Sequence, residues 1–384
     1  MAEKTVRVAI LRKMNNLEND DRLRKEVGTL SVLFPNVVFK CFVMYPENKE
    51  FEGETSYGLP FKSVCVKGRD RYTSGKHLLA KSWDYYCAIK KDIKDFDVVW
   101  CSGDAPTPSL LFIYGKTLIW DLRELPLFLM GSRAKHSILK FIFKRCSVCL
   151  HANQFRIDHL TQMGLIKEPS KHFPIRNLTD FSSIDPEYDK RYYEVKNWIS
   201  DRKCIYLQGI NAPSRASEEV LSAVMETHDV CAIVLGNVDK DAIDLIEKKY
   251  GKDEVALKIC FAGSFPVLKV PQYMKLCQAT MVFYKNTSIN NWYCEANRLY
   301  QAVDVGLPAV VGANPPMKAI VEDLGVGISV DTDGSDVTKM AQGLSSLLSC
   351  YNKYKKNIGK LQNEIKWDSQ TFILKGSFEK ILNK

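Results

Sequence analysis

The chain has 384 residues, is 46% hydrophobic and 26% charged, and carries a formal net charge of +9. That length exceeds what a single core usually spans, and the composition excludes a disordered chain, so two globular domains are expected. No apolar run reaches the length of a membrane helix, and residues 1–10 lead directly into an alternating strand pattern without a signal-peptide pattern. Twelve cysteines are scattered, mostly inside apolar runs, which is reduced-thiol usage and implies a cytoplasmic protein. Cys146-x-x-Cys149 reads as a pair of buried thiols, and the six histidines show no ligand spacing, so no metal site is expected.

The charge is uneven. Residues 1–178 hold 29 Lys and Arg against 19 Asp and Glu, a net of +10, and the remainder holds 25 against 26, a net of −1. Such asymmetry suggests an anionic partner for the first half: a membrane surface, a nucleic acid or a phosphorylated acceptor. No DNA- or RNA-binding motif is present, so nucleic acid is not expected.

In chain order, residues 6–11 read as a first buried strand, 19–33 as a helix with acidic residues in its first turn, and 37–44 as a second strand. Where a glycine-rich loop would follow the first strand stands Arg12-Lys13-Met14-Asn15-Asn16. Residues 46–74 read as loop around one strand at 61–66, then come a helix at 77–94 and a strand at 98–101. Residues 118–120 form the next strand and run into Asp121-Leu122-Arg123-Glu124-Leu125-Pro126. Residues 125–150 interleave Phe128, Phe141 and Phe143 with Arg133, Lys140 and Lys144. That composition fits an interfacial helix on an anionic bilayer, or a helix packed on the sheet with a solvated basic face. A strand at 149–153 and a helix at 154–163 complete a domain over 1–178, with a linker at 179–201.

The second domain, 202–365, opens with a strand at 204–208 entering the turn at Gly209, and a helix follows at 217–226. Strands are expected at 231–235, ending at Gly236, and at 259–262 and 280–284, with a short helix at 271–277. Residues 297–305 form a helix with Leu299, Ala302 and Val303 on one face. Gly306 and Pro308 end it, and 309–311 is a buried strand. Glu295, Asn297, Arg298 and Gln301 cluster near the amino end of that helix, which suits phosphate and sugar oxygens. Residues 337–384 read as helical, with 366–384 expected to pack back on the first domain.

The run from Tyr293 through Glu295, Asn297, Arg298 and Gln301 to Pro308 resembles a segment of family 4-like glycosyltransferases of the GT-B fold, "YCSPNKLFEYMAAGLPVV", and aligns with it without a gap. Residues 19–26 are similar to the family's "NDPRVRKE", residues 121–126 to its "D-x-H-E-L-P", and residues 209–216 to the turn whose arginine meets the donor diphosphate. The resemblance implies an α/β protein of two Rossmann-like domains facing across a cleft, and transfer of a sugar from a UDP- or GDP-linked donor with no other cofactor. By position it implies that Arg215 neutralises the leaving diphosphate and that Gln301, replacing a glutamate, holds the ribose. Gly209, Gly236, Tyr293, Glu295, Asn297 and Arg298 would complete the donor site, with Arg215, Glu295, Asp121 and Arg123 as catalytic candidates. Arg123 replaces the family histidine and, being always charged, suits an anion better than a proton. The resemblance implies a hexosyltransferase that retains the anomeric configuration and needs no metal ion, while Tyr293, replacing the first of a glutamate pair, keeps inversion open. The expected acceptor is a glycan or lipid-linked saccharide of surface polysaccharide or glycoconjugate synthesis. Arg133, Lys140 and Lys144 would stand on the acceptor or membrane side, peripheral on the inner face. Alternatives are a non-catalytic nucleotide-sugar-binding subunit of a transferase, or a sugar-nucleotide epimerase of the same fold.

Overall fold

The computed structural model describes residues 4–68, 77–104, 106–361 and 364–382. The chain forms two compact units, Met1–Asn177 with Gln370–Lys384, and Leu178–Ser369.

The N-terminal unit is built on β1 (Val6–Lys13), β2 (Val37–Met44), β3 (Phe51–Glu54), β4 (Pro60–Ser63), β5 (Val98–Ser102), β6 (Thr117–Leu122), β7 (Val148–His151) and β8 (His172–Pro174). They form one sheet in the order β3-β4-β2-β1-β5-β6-β7-β8, parallel except for the antiparallel edge pair β3–β4. The central strands are apolar runs such as Val8-Ala9-Ile10-Leu11 and Val98-Val99-Trp100-Cys101, buried along their length, as a sheet covered on both faces requires. Cys149 lies on β7 and Cys146 just before it, both buried free thiols. The hairpin β3–β4 falls where the sequence suggests a loop around a single strand, because β3 is exposed at all four residues and carries no apolar period. The expected loop's last part, 69–74, lies outside the described residues. The helix expected at 77–94 is Leu78–Ile89, followed by a separate helical turn at Asp92–Asp95. The final helix, Thr371–Leu382, belongs to this unit, with Phe378 buried against Phe39 and Trp100.

The C-terminal unit carries β9 (Lys203–Gln208), β10 (Val230–Leu235), β11 (Ile259–Gly263), β12 (Ala279–Val282), β13 (Ala309–Val311) and β14 (Gly327–Ser329), all parallel in the order β11-β10-β9-β12-β13-β14. Residues 179–201 include the helix Lys190–Ile199, whose Val195 and Ile199 join a buried cluster with Tyr206 and Tyr273. Between β10 and β11 lie two helices, Lys240–Tyr250 and Lys252–Lys258, which the sequence analysis did not identify.

In each sheet the chain steps outward to one side and then returns to the other. The reversal falls between β1 and β5 in the first sheet and between β9 and β12 in the second. At such points the connections diverge and leave a crevice beyond the carboxyl ends of the strands, where open α/β sheets bind ligands. Among the described residues no helix is long and apolar enough to cross a membrane.

Candidate functional site

At the reversal in the C-terminal sheet the site is assembled from three short segments. β9 ends at Gln208 and turns through Gly209, whose φ of +65° is a left-handed conformation that favours glycine. A Cβ there would lie 2.8 Å from Arg215 Nη1, so the glycine also admits that guanidinium. Arg215 closes the turn Pro213–Arg215 and donates from Nη1 to the Gly209 carbonyl at 2.8 Å. The turn is tied to the loop after β12 by Lys285 N–H donating to Ser214 O at 2.8 Å, and Lys285 Nζ pairs with Glu219.

The third segment is the helix Asn297–Asp304. Leu299 and Val303 pack into one buried cluster and Ala302 into another, as the apolar spacing implies. That packing turns Arg298 toward the strand ends, where it is buried and donates to the carbonyls of Gln208 and Phe283. Those carbonyls end β9 and follow β12, so one guanidinium spans the reversal. The Tyr284 ring lies under both arginines, 5.6 Å from Arg215 Cζ and 5.1 Å from Arg298 Cζ.

The electrostatics of this group are unusual. Among the described residues neither arginine forms an ion pair with a carboxylate, and Arg298 Nε is buried without a hydrogen-bond partner. Burial lowers the Arg298 pKa, and the Arg215 guanidinium lowers it further. A buried cation beside a second cation is costly unless an anion completes the site. The arrangement can therefore hold a group with two or more negative oxygens, and forked guanidiniums match phosphate geometry.

The other donor-side candidates lie on neighbouring segments of the same unit. Asn297 is exposed at the first turn of the helix, whose amino end has no side-chain cap, and half-buried Gln301 shares a helix face with Arg298 at i+3 spacing. Glu295 accepts the Tyr300 hydroxyl at 2.6 Å, and Tyr293 ends the short helix Ile289–Trp292. Gly236 has φ +88° at the end of β10 and donates to Gly263 O. Ala216, where the resembled segment has glycine, keeps a left-handed φ of +53°.

Asp121 and Arg123 lie in the other unit, at the reversal of the first sheet. Strand register sets Arg12, Ser102 and Asp121 in one row across β1, β5 and β6. Asp121 is wholly buried. Its Oδ1 accepts from Arg22 Nη2 at 2.9 Å, and its Oδ2 accepts from Ser102 at 3.1 Å and Arg123 Nε at 3.0 Å. Asp20 caps the helix Asp21–Leu33, accepting from Leu23 N–H, and bonds both Arg12 and Arg123. Arg22 Nε donates to Glu26 at 2.9 Å. Three arginines thus meet three carboxylates. Burial works to raise the Asp20 pKa, but Arg123 and Arg12 hold it down at about 2. Burial pushes Glu26 up to about 7 against the pull of Arg22. Gly103, at φ +85°, is needed here because a Cβ would lie 2.4 Å from Arg12 Nη1. This network was not visible in sequence, since Arg22 and Asp121 stand 99 positions apart.

Of the basic residues in the stretch 125–150, Arg133 and Lys144 are exposed and Lys140 is half-buried, all on the helix Arg133–Arg145. Among the described residues no group of three or more His, Cys, Asp or Glu side chains is placed to hold a metal ion.

No family model matches the sequence, and no curated protein matches it. Solved structures do. Sucrose-phosphate synthase from Thermosynechococcus elongatus superposes with a TM-score of 0.74 at 11% identity, over 98% of this chain and 99% of that one. The Anabaena HepE protein in complex with UDP-glucose gives 0.69 at 11% identity, over 98% and 100%. A glycosyltransferase from Rickettsia africae gives 0.68 at 10% identity, over 98% and 99%. At about a tenth identity such likenesses speak for architecture rather than activity. The chain has the GT-B fold of these glycosyltransferases, in agreement with the fold that its sequence segments imply.

Proposed function

We propose that the chain is a glycosyltransferase that takes its sugar from a nucleoside-diphosphate donor, with Arg215 and Arg298 on the diphosphate. The observation that carries this reading is the arginine pair at the reversal of the C-terminal sheet, Arg298 buried and Arg215 half-buried, which among the described residues meets no carboxylate. Negative charge grows on the diphosphate as the glycosidic bond to it breaks, and fixed cations in a water-poor crevice stabilise that change. The same two cations supply charge that a metal ion supplies elsewhere, so transfer is expected to proceed without one. Gln301 takes the ribose and Asn297 the exposed end of the donor. HepE was solved with UDP-glucose, which favours UDP over GDP for this chain. The acceptor is proposed to be a glycan or lipid-linked saccharide in surface polysaccharide or glycoconjugate synthesis; the net charge of +10 over residues 1–178 favours one with phosphate in its carrier.

Calorimetric titration with UDP, GDP and their sugars tests the donor. Arg215→Ala is expected to weaken UDP binding about 10- to 100-fold, or about 1.5–3 kcal/mol for a charge-assisted contact. Equal affinity in the two proteins would remove Arg215 from the site. Tyr293 and Gln301, standing where the family carries glutamates, keep a binding-only subunit as the second reading. Tight UDP-sugar binding with neither transfer nor slow hydrolysis of the donor would favour it.

A further inference from the structure

Three segments far apart in sequence bring exposed aromatic rings together on the N-terminal unit. Trp83, on the helix Leu78–Ile89, packs edge-on against Phe112 with centroids 4.8 Å apart. Two residues further on, the Tyr114 ring lies 4.2 Å from Arg145 Cζ, and Arg145 also faces Phe141 at 5.5 Å. Trp83, Tyr114 and Phe141 keep 48%, 70% and 46% of their surface exposed, far more than rings that serve a core.

Phe141 leads into a cavity of about 490 Å³ that also takes in Lys140, Lys144 and Lys167 over Phe143 and Leu165. The helix Arg133–Arg145 explains the mixture. Leu139, Ile142 and Phe143 are buried, while Ser137, Lys140, Phe141 and Lys144 recur at i, i+3, i+4 and i+7 on the cavity side. The acid in the lining, Glu168, pairs with Lys171 at 2.8 Å, and Lys171 and to a lesser degree Lys144 lower its pKa. Among the described residues Lys140, Lys144 and Lys167 form no ion pair. Lys144 precedes β7 and Lys167 precedes β8, so the cavity lies toward the amino ends of the strands, away from the carboxyl-end row of Arg12, Ser102 and Asp121.

We infer that this face docks on an anionic phospholipid bilayer, with Lys140, Lys144 and Lys167 receiving lipid phosphates while Trp83, Tyr114 and Phe141 enter the headgroup layer. Three lysines against one acid in the lining leave this cavity basic, and a small soluble anion would leave the exposed rings unexplained. Tryptophan and tyrosine beside basic side chains are what a bilayer interface selects. The surface works independently of the donor site, which lies in the other unit.

Co-sedimentation of the full chain with vesicles tests it. Binding is expected to phosphatidylglycerol-containing vesicles at low salt, weakening as salt rises, and not to pure phosphatidylcholine. Each lysine near the surface is worth about fivefold in partitioning. The triple change Lys140→Glu, Lys144→Glu, Lys167→Glu should therefore lower binding on the order of 100-fold or more. Trp83→Ala with Phe141→Ala should lower it about tenfold or more and leave its salt dependence in place. The lysine variant should melt with the wild type, the aromatic variant a few degrees below it because Trp83 packs on Phe112, and both should titrate UDP as the wild type does, which separates failure here from failure of the donor reading. No binding to anionic vesicles at low salt, equal binding to neutral ones, or a triple variant that binds like wild type would overturn the assignment. Release from the vesicles by inorganic phosphate at constant ionic strength would also overturn it, in favour of a free-phosphate site.

Discussion

In the N-terminal unit, Arg12, Arg22 and Arg123 share a buried strand edge with Asp20, Glu26 and Asp121. In the C-terminal unit, Arg215 and Arg298 occupy the corresponding edge, where among the described residues backbone carbonyls and the Tyr284 ring keep them company. Both edges lie at the point where the strand order reverses, and the difference is in what completes the charge. Three arginines against three carboxylates make a set closed in charge, although Glu26 Oε2 and Arg123 Nη2, 3.9 Å apart, are buried without a hydrogen-bond partner. Two arginines bonded to carbonyls still carry two unmatched charges, and water reaches Arg298 poorly. The first edge balances its own charge, and the second leaves charge that the proposed donor diphosphate would match.

Breaking the closed set should have the largest effect. Asp121→Ala leaves Arg22 and Arg123 facing each other without the carboxylate that joins them, and strands Ser102 as well. Removing one partner of a buried ionic network typically costs about 3–5 kcal/mol. Urea unfolding of wild type and variant reads this directly, and a loss below about 1 kcal/mol would mean that the network contributes little to stability.

The open pair should respond in the opposite sense. Arg298→Met removes a buried charge together with two bonds to carbonyls, terms that offset each other, so the unliganded protein is expected to lose only about 1 kcal/mol. Its UDP affinity should fall by about 2–3 kcal/mol, and the rise in melting temperature that UDP gives the wild type should largely disappear. If the variant were strongly destabilised without ligand and bound UDP normally, Arg298 would be a structural strut and the contrast between the edges would collapse.

The two edges differed as much in legibility as in charge. The stretch 290–312 could be read almost residue by residue: the apolar spacing of Leu299, Ala302 and Val303, the stop at Gly306 and Pro308, and the run 309–311 are local signals, and helix and strand fall there. Arg215 and Arg298 stood out because a short turn and a helix start are also local. That they converge on Gln208, Gly209 and Phe283 depends on strand order, which no local pattern encodes. The closed network was invisible for the same reason: Arg12, Ser102 and Asp121 become neighbours only through the register of β1, β5 and β6. The hairpin β3–β4 was missed because exposed edge strands carry no apolar alternation. Among the described residues, Trp83, Tyr114 and Phe141 are linked only through Phe112 and Arg145, contacts between segments that no local pattern encodes.

Titration gives a finer test of the closed set. Glu26 is raised to about 7 by burial, so between the ordinary carboxyl range and pH 7 the folded protein keeps a proton that the unfolded chain releases. Stability should therefore fall as pH rises through that window, by on the order of 1–3 kcal/mol. Glu26→Gln cannot titrate and should lack this component. His172, held near 4 by burial, acts in the reverse direction below its usual range but is common to both proteins, so their difference isolates Glu26. Parallel unfolding curves at pH 5 and pH 7.5 for the two proteins would show that Glu26 is already ionised in the fold, stabilised by Arg22.

The smallest expected effect lies at the open edge. Gln301 stands about one helical turn after Arg298 and Asn297 and is half-buried. Gln301→Glu places a carboxylate there, the residue that the resembled segment carries. Two outcomes compete. The new carboxylate can accept ribose hydroxyls more strongly than an amide does, tightening UDP by up to about 1 kcal/mol. Or it can turn to Arg298 and supply the missing counter-charge, weakening UDP by competing with the diphosphate. Titration with UDP and with 2′-deoxy-UDP separates them. A gain that vanishes with the deoxy nucleotide places residue 301 on the ribose, the expected result. A loss of equal size for both nucleotides would place it on the arginine instead. It would also show that the charge left open at this edge can be closed from within the chain by a single substitution.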